Sequence, residues 1–426
     1  MKNNFRTIAL IYTFSYMAIG SFTPLIAQYL SVLGFSGSHI GIITSSGTAM
    51  AIFAVAFWGG VFSRRQGIRR KALLLACLCT GSAGAALCLN HAHGFLPVLL
   101  LFCLIYFLQP PAISLVDSLT VLSDGSESDR GFGSKRAWGA VGFALGVLIG
   151  GHAADLIGES SIIYIYITCF LITALVLYLM SRSDQGACCA HLPEQNVPDE
   201  ERTDGSYRQL LRDKKVLQLL LCMFFMGGTN VANNTYFSFL YIEGGGTLAG
   251  VGIVMLLMVG SEVPFMMWCD RLAARFTLQK TILAAMIISS ARFIFYGTGL
   301  PWWLQACMFF TQGAVNGIIL VEFVRYISRI APPGCKSLAI SAYYIIGSNI
   351  STIACQFIGG MILDSFGADG VYMFFGLFNL AGTVLYVLFG LYRPVEDVDS
   401  TAHPADPSVH PTDGTSFPAD PTEKIK

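Results

Sequence analysis

Along most of the chain, apolar runs of about 20 residues or more alternate with short polar breaks. Runs of that length predict helices that cross a membrane, because about 20 residues at 1.5 Å each span a hydrocarbon core of about 30 Å. A β-barrel would alternate apolar and polar positions over about 10 residues instead. Twelve spans are expected, at roughly 7–30, 38–62, 72–91, 95–121, 134–156, 160–181, 215–242, 248–270, 280–298, 302–329, 336–364 and 368–392. The polar segment from Arg182 to Lys214 divides them six and six. The expected organisation is a first six-helix half over 1–181, a linker over 182–214, a second half over 215–392 and a disordered tail over 393–426. The tail repeats Pro, Asp, Thr and Ser, a composition that cannot build a core.

Charge fixes the orientation. Arg64, Arg65, Arg69, Arg70 and Lys71 fall on one side of the membrane. So do Arg130 and Lys135, the linker cations, Arg271, Arg275 and Lys280, and Arg325, Arg329 and Lys336. The six opposite loops (SVLGFSGSH, NHAHG, DLIGESS, EGGGTLAG, GTGLPWW, DSFGADG) hold no Lys or Arg. The positive-inside rule then puts both termini in the cytoplasm, with the inner membrane of a bacterium as the expected location.

The halves repeat. GGHAADLIGESS at 150–161 matches GGMILDSFGADG at 359–370, placing Asp155 on Asp364 at an offset of 209. WGGVFSRRQGIRRKALLLA at 58–76 matches WCDRLAARFTLQKTILAA at 268–285 at an offset of 210. Six spans separate the copies, so both point the same way. Parallel six-helix halves about an axis along the membrane normal are the architecture of major facilitator transporters. Gly47 with Ala51, Ala56 with Gly60, and the row Gly142, Gly146 and Gly150 are expected to let helices approach closely.

Composition narrows the function. The chain is 54% hydrophobic and 12% charged, with equal numbers of acidic and basic residues, so no basic face for nucleic acid is expected. There is no HExxH, G-x-S-x-G or Walker loop, so neither an enzyme nor an ATP-driven pump is expected. The 12 cysteines show no metal spacing, and no metal or cofactor is expected.

Ionisable groups inside spans mark function or costly packing. Asp117 in span 4 and Arg136 at the start of span 5 lie near the same end of an expected antiparallel hairpin, as a substrate site or a salt bridge that fixes it. Glu262 and Arg292 each lie 12 residues from a span edge, about 18 Å deep, and are expected to pair near the midplane. Asn230, Asn233 and Asn234 share one helical face, as do Tyr12, Ser15 and Tyr16. With Gln109, Gln312, Asn316, Asn349 and Gln356 they suit a hydroxyl- or amide-rich ligand, or interhelical hydrogen bonds. Glu322 is expected to pair with Arg325 at a helix end.

FGSKRAWGAVGF at 132–143 resembles the span 5 signature of the lactose permease and phenylpropionate-type branch of the major facilitator superfamily. GGVFSRRQGIRRK at 59–71 resembles the superfamily's loop 2–3 motif, and SEVPFMMWCDRLAARF and RYISRIAPPG resemble the branch's second half. The resemblance covers about residues 7–392. It implies that Arg136 binds substrate with Asp117 as its carboxylate partner, that Phe143 stacks on a sugar ring, and that Glu262 and Arg292 serve substrate and proton. The chain also departs from the permease. Arg64 replaces the acid of the loop motif, Asn230 and Asn233 stand where the permease has two Asp, Gln312 where it has a His, and Val315 where it has its proton-carrying Glu. Lactose itself is therefore not expected.

The resulting expectation is a monomeric secondary transporter in the lipid bilayer, with proton-coupled symport of a sugar- or nucleoside-like substrate. Its substrate residues are Asp117, Arg136, Phe143, Asn230, Asn233, Glu262, Arg292 and Gln312, and its proton sites Glu262 and Asp117. The rivals are a permease for an aromatic or other organic acid in the same fold and a non-transporting membrane sensor.

Overall fold

The computed structural model describes residues 2–65, 67–124, 129–182, 207–210, 212–332 and 334–393. Residues 183–206 and 394–426, which hold most of the expected linker and tail, lie outside the described residues, as do Cys188 and Cys189, whose thiols a cytoplasmic loop is expected to keep free.

The first half comprises α1 (Lys2–Phe22), α2 (Ile26–Val32), α3 (Gly37–Ser63), α4 (Ile68–Asn90), α5 (Phe95–Asp124), α6 (Asp129–Ile157) and α7 (Ser161–Arg182). The second comprises α8 (Lys214–Glu243), α9 (Leu248–Phe276), α10 (Leu278–Tyr296), α11 (Trp302–Ile318), α12 (Val324–Ile330), α13 (Lys336–Ala342) and α14 (Ser351–Leu388). No strand occurs among the described residues.

Eleven of the described helical stretches are long and apolar enough to cross a membrane. The last, Lys336–Leu388, runs for 53 residues and breaks at Gly367, whose φ of 67° lies in the left-handed region. At 1.5 Å per residue it extends about 80 Å, enough for two crossings, which accounts for the twelve expected.

The spans are less regular than their hydropathy. The first is two helices, α1 and α2, joined by a turn at 23–25 around Pro24, which cannot donate a helical hydrogen bond. The tenth passes through a π-helical turn at Ile319–Phe323, and the eleventh through another at Tyr343–Ile350. A wider turn of this kind is a recurrent feature of functional sites. By contrast, α5 continues through Pro110 and Pro111.

Glycines set the closest packing. A Cβ at Gly142 would collide with the Thr13 backbone, one at Gly146 with that of Met17, and one at Gly20 with that of Phe143. These positions join α1 and α6 backbone to backbone, as the small-residue row in the sequence predicts. Gly142→Val should therefore leave little monodisperse protein after solubilisation, or lower its thermal midpoint by several degrees. Gly59→Val, where a Cβ meets nothing within 4 Å, should match the unmodified chain in size-exclusion and unfolding traces. Equal behaviour of the two variants would contradict the packing account.

The halves meet through α3 against α14 and α6 against α9. Backbone meets backbone there as well. A Cβ on Gly37 or Gly41 would run into Gly360 or Gln356, and one on Gly151 or Gly252 into Leu248 or Val147. All these approaches lie toward the ends whose connecting loops carry no Lys or Arg. At the opposite, basic end of α3, Gly59 and Gly60 have open space around them.

Candidate functional site

Three helices build the charged group of the first half. The Tyr12 hydroxyl of α1 donates to the Asp117 carboxylate of α5 at 2.6 Å. Tyr16, one turn on, lies close enough to Arg136 of α6 to act on its guanidinium, as does Asp117. The two tyrosine rings lie 6.2 Å apart. α5 and α6 touch little, and α1 packs along α6, so Asp117 and Arg136 communicate through the Tyr12–Tyr16 face rather than as a bare hairpin pair. Arg136 is exposed and Asp117 partly so, which leaves both reachable by a ligand. Phe143, two turns along α6 from Arg136, is partly buried against the apolar core.

The second half supplies uncharged groups. Asn230 Oδ1 accepts from Gln312 Nε2 at 3.4 Å and from the Ser289 hydroxyl at 3.5 Å. Gln312 Nε2 also donates to Asn316 Oδ1 at 3.0 Å. A neighbouring buried network runs from Asn379 to Thr229 at 3.1 Å and Ser289 at 3.0 Å. Asn230 and Gln312 are thus brought together, whereas Asn233 is fully buried and accepts from the Tyr372 hydroxyl at 2.7 Å. Gln109 accepts from Tyr166 inside the first half. Gln356 joins the halves, accepting from Thr48 at 2.8 Å while donating to Thr235 at 3.1 Å.

Glu262 and Arg292 do not form the expected pair. Arg292 is 1% exposed, and none of its guanidinium nitrogens has a hydrogen-bond partner among the described residues. Its charge lies over the rings of Phe293 at 4.4 Å and Tyr296 at 5.8 Å. Equal depth along neighbouring spans did not fix the direction in which either side chain points, and α10 turns Arg292 toward its own aromatic neighbours. Glu262 is partly exposed on α9, one turn from Met258, whose carbonyl abuts Gly313. Glu322 pairs with Arg325 at 3.4 Å, as the three-residue spacing predicts.

A cavity of about 490 Å³ lined by Val61, Arg64, Arg65 and Arg70 opens at the basic end of α3 and α4. It shares no residue with the polar groups above and is not the candidate site. The sequence named the charged members of that site. It did not reveal that Tyr12 and Tyr16 connect Asp117 to Arg136, although their shared helical face was the available signal.

Apolar helices in two packed halves, with ionisable and amide side chains held inside them, define a multi-pass membrane transporter. The chain belongs to the MFS_1 like family, whose model matches residues 5–374. It is 32% identical over 383 residues to a maltose permease of Geobacillus stearothermophilus, covering 89% of this chain and 93% of that one. It is 21% identical to a probable 3-phenylpropionic acid transporter of Escherichia coli, covering 89% and 96%. In fold it resembles the crystal structure of the nucleoside transporter NupG, with a TM-score of 0.79 at 16% identity over 92% of this chain and all of that one.

Proposed function

We propose that the chain is a proton-coupled symporter for a small, hydroxyl-rich organic solute, a sugar or a nucleoside-like molecule, and that it works as a monomer by alternating access. Both termini face the cytoplasm of a bacterium, so the basic face is the inner one. The observation that carries this reading is the division of labour between the halves. Asp117, Arg136 and the Tyr12–Tyr16 face offer charged and aromatic contacts. In the second half, Asn230, Gln312 and Asn316 offer neutral donors and acceptors. Hydroxyl groups can give hydrogen bonds to, and take them from, both groups. The maltose permease relative supports a sugar, and maltose is the first probe.

Glu262 and Asp117 are the proton-carrying candidates, with Phe143 a stacking surface for a ring. Asn233 contributes by fixing the helix that carries Asn230. A second reading, an aromatic acid as substrate, is favoured by Arg292, a buried cation with no anionic partner among the described residues, which lies over aromatic rings. The phenylpropionic acid transporter relative points the same way. Thermal unfolding of the purified chain with maltose, uridine or 3-phenylpropionate separates the two. Stabilisation by maltose or uridine supports the first reading. Stabilisation by 3-phenylpropionate alone replaces it with the second.

A further inference from the structure

The internal repeat noticed in the sequence has a structural counterpart that the transport site does not use. Asp364, just before the Gly367 break in α14, accepts from the backbone N–H of Gly37 and of Ser38, the latter at 2.8 Å, and from the Ser38 hydroxyl. Those are the first residues of α3 in the other half. Asp155, near the end of α6, accepts from the backbone N–H of Leu248 at 3.2 Å and of Ala249 at 2.9 Å. Those are the first residues of α9, again across the halves. The two acids superpose in the repeat, and so do the two helices they hold. Each carboxylate meets otherwise unpaired helix N–H groups at the positive end of a helix dipole.

We propose that Asp155 and Asp364 are a pair of two-fold-related latches that keep the outer entrance closed, and that their strength sets how much of the resting protein faces inward. The proposal rests on reading the chain as an alternating-access carrier with its basic face inside. The latches are directional. In rocking the halves apart at this face, both helix starts leave their carboxylates together, while bonds within each half persist. Both acids are exposed, so water can replace each bond and the latches hold without locking. The glycines beside them, Gly37, Gly41, Gly360, Gly151 and Gly252, let the helix backbones come close enough for the bonds to form.

The same face offers an internal control. Glu243, at the end of α8, accepts from the backbone N–H of Ala368 at 3.0 Å. The chemistry is the same, but both partners belong to the second half. Removing Glu243 should loosen a helix start without changing the balance between inward and outward forms.

The test is hydrogen–deuterium exchange on the full chain in lipid nanodiscs, which needs no substrate. A helix cap is worth about a fivefold shift in the equilibrium it supports, so Asp155→Ala and Asp364→Ala should each shift the orientation about fivefold and the double variant about 25-fold. Expected is faster exchange over 36–45 and 247–256 together with slower exchange at the basic ends, 57–65 and 268–282. Glu243→Ala should quicken only the neighbourhood of 366–372. Faster exchange at the outer ends with unchanged basic ends would reduce the acids to local caps and overturn the proposal, as would no change or a rise at both ends. Should the double variant not fold, the single variants carry the same reciprocal signature. A reciprocal shift in a chain that moves no solute would keep the latches and sink the carrier reading. Retained uptake without the shift would do the reverse.

Discussion

Replacing Arg136 with Lys is expected to weaken maltose binding at least tenfold. The guanidinium lies beside Tyr16 and is drawn by Asp117, with room left to face a ligand. A planar fork can keep its tyrosine contact and still present parallel N–H groups to two hydroxyls; an ammonium offers a compact point charge that cannot do both. A charge-assisted hydrogen bond contributes about 1.5–3 kcal/mol, which corresponds to roughly a 10- to 150-fold change in affinity. Titration calorimetry on Arg136→Lys and the unmodified chain measures it. Equal affinities would show that Arg136 serves packing alone, and Asp117 would then lose its proposed role as well.

Glu262→Gln should abolish uphill accumulation driven by a pH gradient and leave exchange down the solute's own gradient intact. Span 10 offers no better acid, since Glu322 is buried and engaged with Arg325. Glu262 stands near the middle of α9, partly exposed, with α11 packed closely behind it through Gly313 and Gly317. Holding a charge at that depth is costly, and neutralising it with a proton removes the cost, so protonation and closure of the halves favour one another. Glutamine mimics the protonated form permanently. Gradient-driven uptake and counterflow, measured on one preparation, separate the outcomes. Continued accumulation would move the proton site to Asp117. Loss of counterflow too would make Glu262 a ligand or packing residue.

Most of the fold was legible because a bilayer leaves few choices. Backbone groups in hydrocarbon must be satisfied within the segment, so a long apolar run is a helix, and loop cations fix which way it runs. The repeat at 150–161 and 359–370 also carried more than topology. It marked the acids that meet across the halves. The breaks were harder to read. Pro24 interrupts the first span while Pro110 and Pro111 do not interrupt the fourth, because tertiary packing decides whether a freed carbonyl finds another partner.

The candidate residues were legible in kind and less so in arrangement. Asp117 and Arg136 stood out because charge is rare in a span, yet the helical face shared by Tyr12 and Tyr16 did not say which charged groups it would meet. Asn230, Asn233 and Asn234 share a helical face, but Asn233 lies far enough round it to reach Tyr372 while Asn230 meets Gln312. Glu262 and Arg292 matched in depth, and depth says nothing about rotation about the helix axis. Pairing within one helix, as for Glu322 and Arg325, depends on spacing alone and could be read directly.

As proposed above, this chain moves a small polar solute across a bilayer at the expense of a proton gradient. The most direct measurement is uptake of labelled maltose into proteoliposomes with and without an inward-directed pH gradient. Accumulation above the external concentration, present only with the gradient and collapsed by a protonophore, is the predicted result. Maltose entry no faster than in protein-free liposomes, with uridine and 3-phenylpropionate equally inert, would contradict it.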